Sequence, residues 1–206
     1  MSETGRAVRP GGRSATKRAA VTGATLGLLA ERGIGGFGIE DVAAAAGVHK
    51  TTIYRRWGSL DELLVEAVGA LVDQAVPVPD TGDTRADLGA FAGAVIALLN
   101  DPARGPLIRS LLSSGKASPQ VREVIHEFWR ARQRAIAPIA LRGIERGDFP
   151  AGTDPARVMA QLGAPIYYRI LVLGEDVDAT DGTRAAAAAY AAARAGVFVA
   201  GKPPQG

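Results

Sequence analysis

The sequence predicts an all-α protein in which an N-terminal helix-turn-helix domain precedes a larger helical domain. Apolar residues recur at three- and four-residue spacing along most of the 206-residue chain, and no run alternates with the two-residue period of a strand. Between Gly38 and Leu64, two short helical patterns flank Gly47, which can take the positive φ that ends the first of them. That arrangement is typical of a helix-turn-helix.

Composition argues against several classes of protein. Cysteine is absent and only two histidines occur, so disulfides, thiol nucleophiles and the common metal-ligand spacings have no residues to form them. No phosphate-binding loop or nucleophile elbow occurs either. We therefore expect no catalytic residues, no metal and no cofactor. Without an apolar run of about 18 residues or an apolar signal core, we expect no membrane partner and no export. The lack of cysteine, together with the helix-turn-helix pattern, indicates a cytoplasmic protein.

Positive charge is concentrated in the N-terminal third. Through Leu60 the chain has nine Lys and Arg against four Asp and Glu, whereas the remainder has fifteen against seventeen. A basic end on a slightly acidic body suits a protein with one end that faces DNA. Residues 1–13, rich in Gly, Pro, Ser and Arg, are expected to be disordered. They are either an unstructured terminus or a basic arm that follows a DNA groove.

Four helices are expected in the N-terminal part. The first ends at Gly33, and the fourth begins at the capping sequence of Ser59 and Glu62 and ends before Pro77. The expected spans are 14–32, 39–46, 49–57 and a fourth that ends near residue 75. We assign 14–75 to the DNA-binding domain and 76–200 to the C-terminal domain.

The second helix of the motif carries chemistry that fits DNA. Ile53 points inward, and the outer face offers cations that bond bidentately to guanine and hydroxyls that suit phosphate. Arg55 or Arg56 is the candidate reader of guanine, whereas Thr52 and Tyr54 suit phosphate better. The candidate DNA-binding residues are Lys50, Thr51, Thr52, Tyr54, Arg55 and Arg56. His49, which precedes this helix, is either a surface cap residue or a base reader.

These residues resemble the N-terminal domain of the tetracycline-repressor (TetR) family of transcriptional regulators. The matching positions are Gly33, Ile39, Asp41-Val42-Ala43, Ala46-Gly47-Val48, Thr52-Ile53-Tyr54, Trp57 and Asp61-Glu62-Leu63-Leu64. Residues 142–149 and 164–174 extend the resemblance, less specifically, into the C-terminal domain. Two positions depart from it: Gly38 replaces a hydroxyl residue and Leu60 replaces a lysine, and both usual residues contact phosphate. Their loss is expected to weaken the sequence-independent part of DNA affinity.

The resemblance implies about nine helices, a homodimer, and a cavity in each C-terminal domain that admits a small effector. The expected C-terminal helices begin near Thr84, Pro106, Pro119, Pro155 and Thr183, and Pro138 predicts a kink or break in the third. The helices at about 154–173 and 183–199 are predicted to form the dimer, with Tyr190, Val197 and Phe198 in the seam. Two such helices per subunit make a four-helix bundle.

Large apolar side chains of the C-terminal part are candidates for the wall of an effector cavity. As a group they resemble the mostly apolar lining of a small-molecule site, although each one is also a plausible core residue. The candidate ligand-binding residues are Phe91, Ile108, Leu112, Ile125, Phe128, Trp129, Tyr167 and Tyr168. Arg109, His126 and Arg169 are candidates for its polar groups; His126 is alternatively part of a surface ion-pair set with Glu123 and Arg130.

The leading interpretation is a ligand-responsive regulator, most simply a repressor. It binds palindromic double-stranded operator DNA as a homodimer and is released by a small apolar or aromatic effector. Two alternatives remain. One is an architectural, nonspecific DNA-binding protein, which has equal affinity for random and operator DNA. The other is a helical small-molecule-binding protein or enzyme with a vestigial DNA-binding domain.

Overall fold

The structure, a computed structural model, describes residues 12–113 and 119–199. Within these ranges the chain forms nine α-helices, one π-helical segment and no strand beyond a single isolated bridge. The all-α prediction is confirmed. The helices are α1 (Gly12–Arg32), α2 (Ile39–Ala46), α3 (Lys50–Trp57), α4 (Leu60–Ala75), α5 (Thr84–Asn100), α6 (Gly105–Ser113), α7 (Pro119–Glu145), α8 (Pro155–Tyr167) and α9 (Ala179–Arg194), with the π-helical segment Tyr168–Leu173 after α8.

The chain divides into two compact units between Ala67 and Val68, inside α4. Helix α4 therefore contributes residues to both units. The domain boundary after residue 75 stays a prediction. Residues 1–11, which contain most of the expected N-terminal arm, lie outside the described residues.

The N-terminal unit is built on the inner faces of α1, α2 and α3. Val21, Val42 and Ile53 are almost fully buried. Gly47 ends α2 with φ 64° and ψ 38°, a left-handed conformation that costs glycine little. In this turn the Val48 N–H donates to the Ala43 carbonyl at 3.0 Å. The turn lets α3 restart at once in a new direction, as the helix-turn-helix pattern predicts.

In the C-terminal unit, α5 is the central helix. It contacts α6, α7, α8 and α9, and α8 also contacts α7 and α9. Its buried residues form one broad face that covers about half of its circumference. Gly182 lets α9 approach closely, since a Cβ atom there would lie 3.0 Å from Ile96 Cδ1 and 3.6 Å from Ala92 Cβ. The closely packed α5 and α9 form one side of the unit, and α6 and α7 pack on other faces of α5.

A buried carboxylate fixes the segment that leads into α5. Asp87 is fully buried, and its Oδ1 accepts hydrogen bonds from the N–H and hydroxyl of Thr81, each at 2.8 Å. Arg146 of α7 lies 3.6 Å from Asp87 Oδ2 and 3.1 Å from Asp80 Oδ1. These contacts hold the proline-containing segment after α4 against α7.

The last helix differs from its predicted span. Helix α9 begins at Ala179, four residues before the predicted start, because the Asp178 carboxylate accepts hydrogen bonds from the Thr180 and Asp181 N–H groups. It ends at Arg194, and Val199 then forms an isolated bridge with Thr153. The predicted helix to 199 is therefore too long.

Proline has different consequences at its two interior helical positions. Helix α7 continues through Pro138, so no break occurs there, and the alternative of a kink stays a prediction. Pro165 lies in the last turn of α8, and the helix widens into the π-helical segment three residues later. The sequence did not predict this change of hydrogen-bonding register. The segment exposes Tyr168, Val172 and Leu173.

Candidate nucleic-acid interface and enclosed cavity

Helix α3 separates its apolar residues from its polar ones. Ile53 is fully buried and Trp57 is 4% exposed, so the two anchor one face of α3 in the N-terminal unit. Thr52 is half-buried, and Tyr54 is 47% exposed. The other exposed residues on this helix are Lys50, Thr51, Arg55 and Arg56. All six predicted DNA-binding residues of the helix therefore lie on or beside one solvent-facing surface.

Neighbouring side chains restrain part of this surface. The Arg56 guanidinium lies 5.3 Å from the centre of the Trp57 ring, within the range of a cation–π interaction. Lys50 Nζ lies 3.4 Å from Glu40 Oε1 in an exposed ion pair. Arg55 makes no ion pair and no cation–π contact with a described residue. Arg55 therefore retains its full hydrogen-bonding capacity for an external partner.

His49 is the N-cap residue of α3. Its side chain is exposed and makes no capping hydrogen bond, while its carbonyl accepts from the Thr52 N–H at 2.9 Å. The backbone alone thus begins the helix, and the imidazole is available at its N-terminal end. Its assignment as a DNA-binding residue stays a prediction.

The start of α1 lines the same concave surface as α3. This surface, which we call the α1–α3 groove, is lined by Ser14, Lys17, Arg18, Val21, Thr52, Arg55, Arg56 and Trp57. Arg18 also pairs with Glu66 at 2.7 Å. Sequence analysis missed Ser14 and Lys17. The adjacent basic residues at positions 17 and 18 were the available signal, but only the fold brings them beside α3.

Helix α2 begins without a side-chain cap because its N-cap residue is Gly38. Instead, Asp41 Oδ2 accepts a hydrogen bond from the Gly38 N–H at 2.8 Å, and Asp41 Oδ1 accepts one from Arg32 at 3.1 Å. Chiefly the Gly38 N–H, and then Arg32, hold the pKa of the Asp41 carboxyl below its ordinary value. The carboxylate thereby stabilises the helix start that a hydroxyl residue would otherwise cap.

The C-terminal unit contains a cavity of about 200 Å³ among α4, α5, α6, α7 and α8. Aromatic rings form much of its wall. Trp129 meets Phe128 and Tyr167 edge-on, with ring centres 5.5 Å and 5.4 Å apart. The remaining wall is mainly aliphatic: Val72, Val76, Val95, Leu98, Leu99, Ile108, Leu112, Ile136, Met159 and Leu162 are among the lining residues.

Six of the eight predicted ligand-binding residues line this cavity. They are Phe91, Ile108, Leu112, Phe128, Trp129 and Tyr167. Ile125 is buried on α7 but does not line the cavity. Tyr168 is 54% exposed in the π-helical segment and does not line it either, because the next residue along a helix points about 100° away from Tyr167.

The polar groups of the cavity differ from the predicted ones. Arg109 donates a hydrogen bond to the Leu99 carbonyl, and Arg169 forms ion pairs with Glu175 and Asp181. His126 is exposed. None of the three lines the cavity, and nearby Arg130 pairs with Glu123 and Glu127. The polar lining residues are instead Arg132, Gln133 and Tyr167.

Arg132 is the central polar residue of the wall. Its side chain is 6% exposed, donates to Asp73 Oδ1 at 2.8 Å and to the Val76 carbonyl at 2.9 Å, and lies 5.4 Å from the centre of the Phe91 ring. Burial lowers the pKa of its guanidinium, and Asp73 opposes that shift. Burial also raises the pKa of the Tyr167 hydroxyl to about 12, so this hydroxyl stays protonated at neutral pH.

Comparison with known proteins places both units in one family. The family model described as bacterial regulatory proteins, tetR family, matches residues 21–67, and the model for the tetracyclin repressor-like C-terminal domain matches residues 78–189. The chain belongs to the TetR family of transcriptional regulators. The resemblance inferred from the helix-turn-helix residues is thereby confirmed.

Individual relatives agree with this assignment. The HTH-type transcriptional regulator AqdR of Rhodococcus erythropolis is 35% identical over 165 residues, which cover 80% of this chain and 79% of AqdR. The DNA-binding transcriptional repressor TetR of Mycobacteroides abscessus is 40% identical over 173 residues, covering 81% of this chain and 87% of that protein. A solved TetR-family regulator, SCO0332, superimposes with a TM-score of 0.70 at 27% identity, covering 85% of this chain and 97% of its own.

The chain is thus a helix-turn-helix transcriptional regulator of a family whose members are typically ligand-responsive repressors. That family is of a regulatory, DNA-binding type rather than an enzymatic one. Among the helices of residues 12–113 and 119–199, none is long and apolar enough to cross a membrane.

Proposed function

We propose that this TetR-family regulator binds a palindromic operator as a homodimer and is released by a small apolar or aromatic effector. The observation that carries the proposal is the division of α3, which buries Ile53 and Trp57 and leaves Lys50 and both arginines on its outer side. A helix with one anchored face and one basic face suits insertion into the major groove. Repression is favoured because the Mycobacteroides abscessus relative is named a repressor.

On DNA, different residues of this surface have different proposed tasks. Arg55 and Arg56 read base edges, since a guanidinium bonds bidentately to guanine. Thr51, Thr52 and Tyr54 contact phosphate, and Lys50 and His49 contact the DNA near the start of α3. The α1–α3 groove adds Lys17 as a further phosphate contact. This contribution offsets part of what Gly38 and Leu60 lack.

For the homodimer, the supporting feature is the outer side of α9. Ala187, Ala188 and Ala191 are exposed there, opposite the buried alanines that pack on α5. A row of small apolar side chains permits close approach of a second copy. Tyr190 is a less suitable seam residue than the sequence indicated, because its ring contacts Phe149 and Arg85 of its own chain.

For the effector, the supporting feature is the aromatic cavity and its connection to α4. Val72 and Val76 line the cavity, and Arg132 bonds Asp73 and Val76 at that same end of α4. Leu63 and Leu64 of the same helix are buried. A ligand that displaces the cavity end of α4 therefore changes the state of the helix that continues into the DNA-binding unit. Release requires that the ligand bind the DNA-incompetent arrangement more tightly.

The test of the proposed function begins with selection of DNA fragments by the purified protein. Fluorescence anisotropy then compares the selected sequence with a scrambled duplex of the same length at one salt concentration. We expect a palindromic consensus and an affinity ratio of about 10³ or more, the usual lower bound for specific binding. Equal affinity for both duplexes would contradict the proposal and favour the architectural alternative.

A further inference from the structure

One polar atom beside the cavity is not satisfied by the protein. Gln133 lines the cavity, and its amide oxygen Oε1 is buried with no hydrogen-bond donor among the described residues. Buried polar atoms are nearly always hydrogen-bonded, because a buried polar atom without a partner destabilises the fold. A ligand in the cavity that draws the Gln133 amide towards it would supply the missing donor, so this oxygen is a candidate recognition group.

The other polar groups of the wall restrict the charge of a ligand. The Arg132 guanidinium donates to Asp73 and to the Val76 carbonyl, so its charge is already balanced by a carboxylate. An anionic ligand would have to compete with Asp73 for that charge. A cationic ligand would lie near Arg132 itself. The wall therefore favours an uncharged molecule.

Size and shape restrict the ligand further. An apolar cavity of about 150 Å³ accommodates benzene, and the present cavity has about 200 Å³. Trp129 and Tyr167 meet edge-on in the wall, an arrangement that presents both ring faces and ring edges to a guest. A flat molecule with two fused rings matches this volume and these surfaces better than a long chain does.

We propose that the ligand of this cavity is an uncharged bicyclic aromatic molecule with one N–H or O–H group that donates a hydrogen bond to Gln133 Oε1. The proposal rests on the proposed role of the cavity as the effector site. It adds a specific polar contact that selects among apolar molecules of equal size.

The experiment compares two ligands that differ mainly in one donor. Indole has a ring N–H, and indene has the same bicyclic shape with a CH₂ group in its place. Isothermal titration calorimetry measures both affinities for the full-length protein, for Gln133→Met and for the matched control Gln74→Met. Gln74 is exposed on α4 and does not line the cavity.

We expect the unmodified protein and Gln74→Met to bind indole at least about tenfold more tightly than indene, the factor that one buried hydrogen bond provides. In Gln133→Met the ratio should fall to near one, because indene binding is retained while indole loses its acceptor. The ligand comparison in the unmodified protein stands even where Gln133→Met folds poorly.

Other outcomes would overturn the proposal in distinguishable ways. Equal binding of indole and indene, or a preference that persists in Gln133→Met, would refute the hydrogen bond and leave the cavity as an effector site. Tighter binding of indole-2-carboxylate than of indole would refute the uncharged ligand. If neither indole nor indene bound, this inference would be refuted, whereas an apolar or aromatic ligand of another shape that released the operator would still support the proposed effector site.

Discussion

The candidate recognition helix and the cavity differ in how their residues come together. The candidate DNA-contacting side chains of α3 lie within one eight-residue segment, where helical spacing alone separates the buried Ile53 and Trp57 from the exposed basic residues. The cavity draws on five helices, and its polar residues lie among apolar neighbours far apart in sequence. A surface on one helix can be predicted from local spacing, whereas a cavity formed by five helices depends on long-range packing.

The first prediction concerns Arg132, which we assign as a structural residue of the cavity wall, and its substitution should cause the greatest loss of stability. Arg132→Met should lower the free energy of unfolding by about 2–3 kcal/mol, because the buried Val76 carbonyl loses its donor and the cavity wall loses a packed side chain. Asp73→Asn is the control. It should cost less than about 1 kcal/mol, since Asp73 is 63% exposed. Urea unfolding measures both, and equal losses would contradict the assignment.

The next prediction concerns the recognition helix. Arg55→Ala or Arg56→Ala should weaken operator binding by about 1–3 kcal/mol and relax the base preference at one position of each half-site. Tyr54→Phe should instead weaken binding to all sequences about equally, because a phosphate contact carries no base information. Anisotropy titrations against operators with single substitutions distinguish the two patterns. Unchanged operator affinity in both arginine variants would refute the role of α3.

A third prediction tests whether the exposed alanines of α9 form the dimer interface, in contrast to exposed alanines elsewhere in the C-terminal unit. Ala188→Glu should raise the dimer dissociation constant at least about tenfold, because two carboxylates would be buried in a two-fold interface. Ala97→Glu, at an exposed position of α5, is the matched control. Sedimentation velocity at several micromolar concentrations measures both. A protein that is already monomeric before substitution would refute the dimer itself.

The last prediction concerns the pH dependence of stability, to which a carboxylate at one helix start in each unit contributes a small part. The Gly38 N–H and Arg32 lower the pKa of Asp41, and the Asp181 and Thr180 N–H groups lower the pKa of Asp178. Each folded-state pKa is depressed, so the stabilisation is complete above the ordinary value of 3.8 and is lost as pH falls through the lower folded value.

Thermal unfolding between pH 6 and pH 2.5 tests this effect. Asp41→Asn and Asp178→Asn should each be less stable than the unmodified protein at pH 6 and should each lose less stability on acidification. Parallel curves for the variants and the unmodified protein would show that these carboxylates do not contribute to acid sensitivity.

The sequence was sufficient for the features that arise from local spacing. The turn at Gly47, the spans of α2 and α3 and the exposed face of α3 follow from residues within one or two helical turns. Phe91, Phe128 and Trp129 were also predictable as a group, because large apolar side chains on the inner sides of these helices face either the core or a cavity.

The sequence was insufficient where distant segments determine the outcome. Arg132 appears as an inner-face residue on α7, but only the fold brings it to Asp73 and Val76. Gln133 has no sequence signal, since an unpaired buried oxygen becomes visible only once its surroundings are known. The start of α9 was placed too late because the alanine-rich pattern obscured the stronger capping signal of Asp178 and Asp181.

In the proposed regulation, occupancy of the cavity reduces the affinity of the protein for its operator. In a Trp57→Phe variant, Trp129 is the sole remaining tryptophan, and it lines the cavity. With 5-fluorotryptophan incorporated, one ¹⁹F resonance reports ligand binding at Trp129 while anisotropy of a labelled operator reports DNA binding. We predict that indole shifts the resonance and releases the operator over the same concentration range. A resonance that shifts to saturation while operator affinity stays constant would contradict the account.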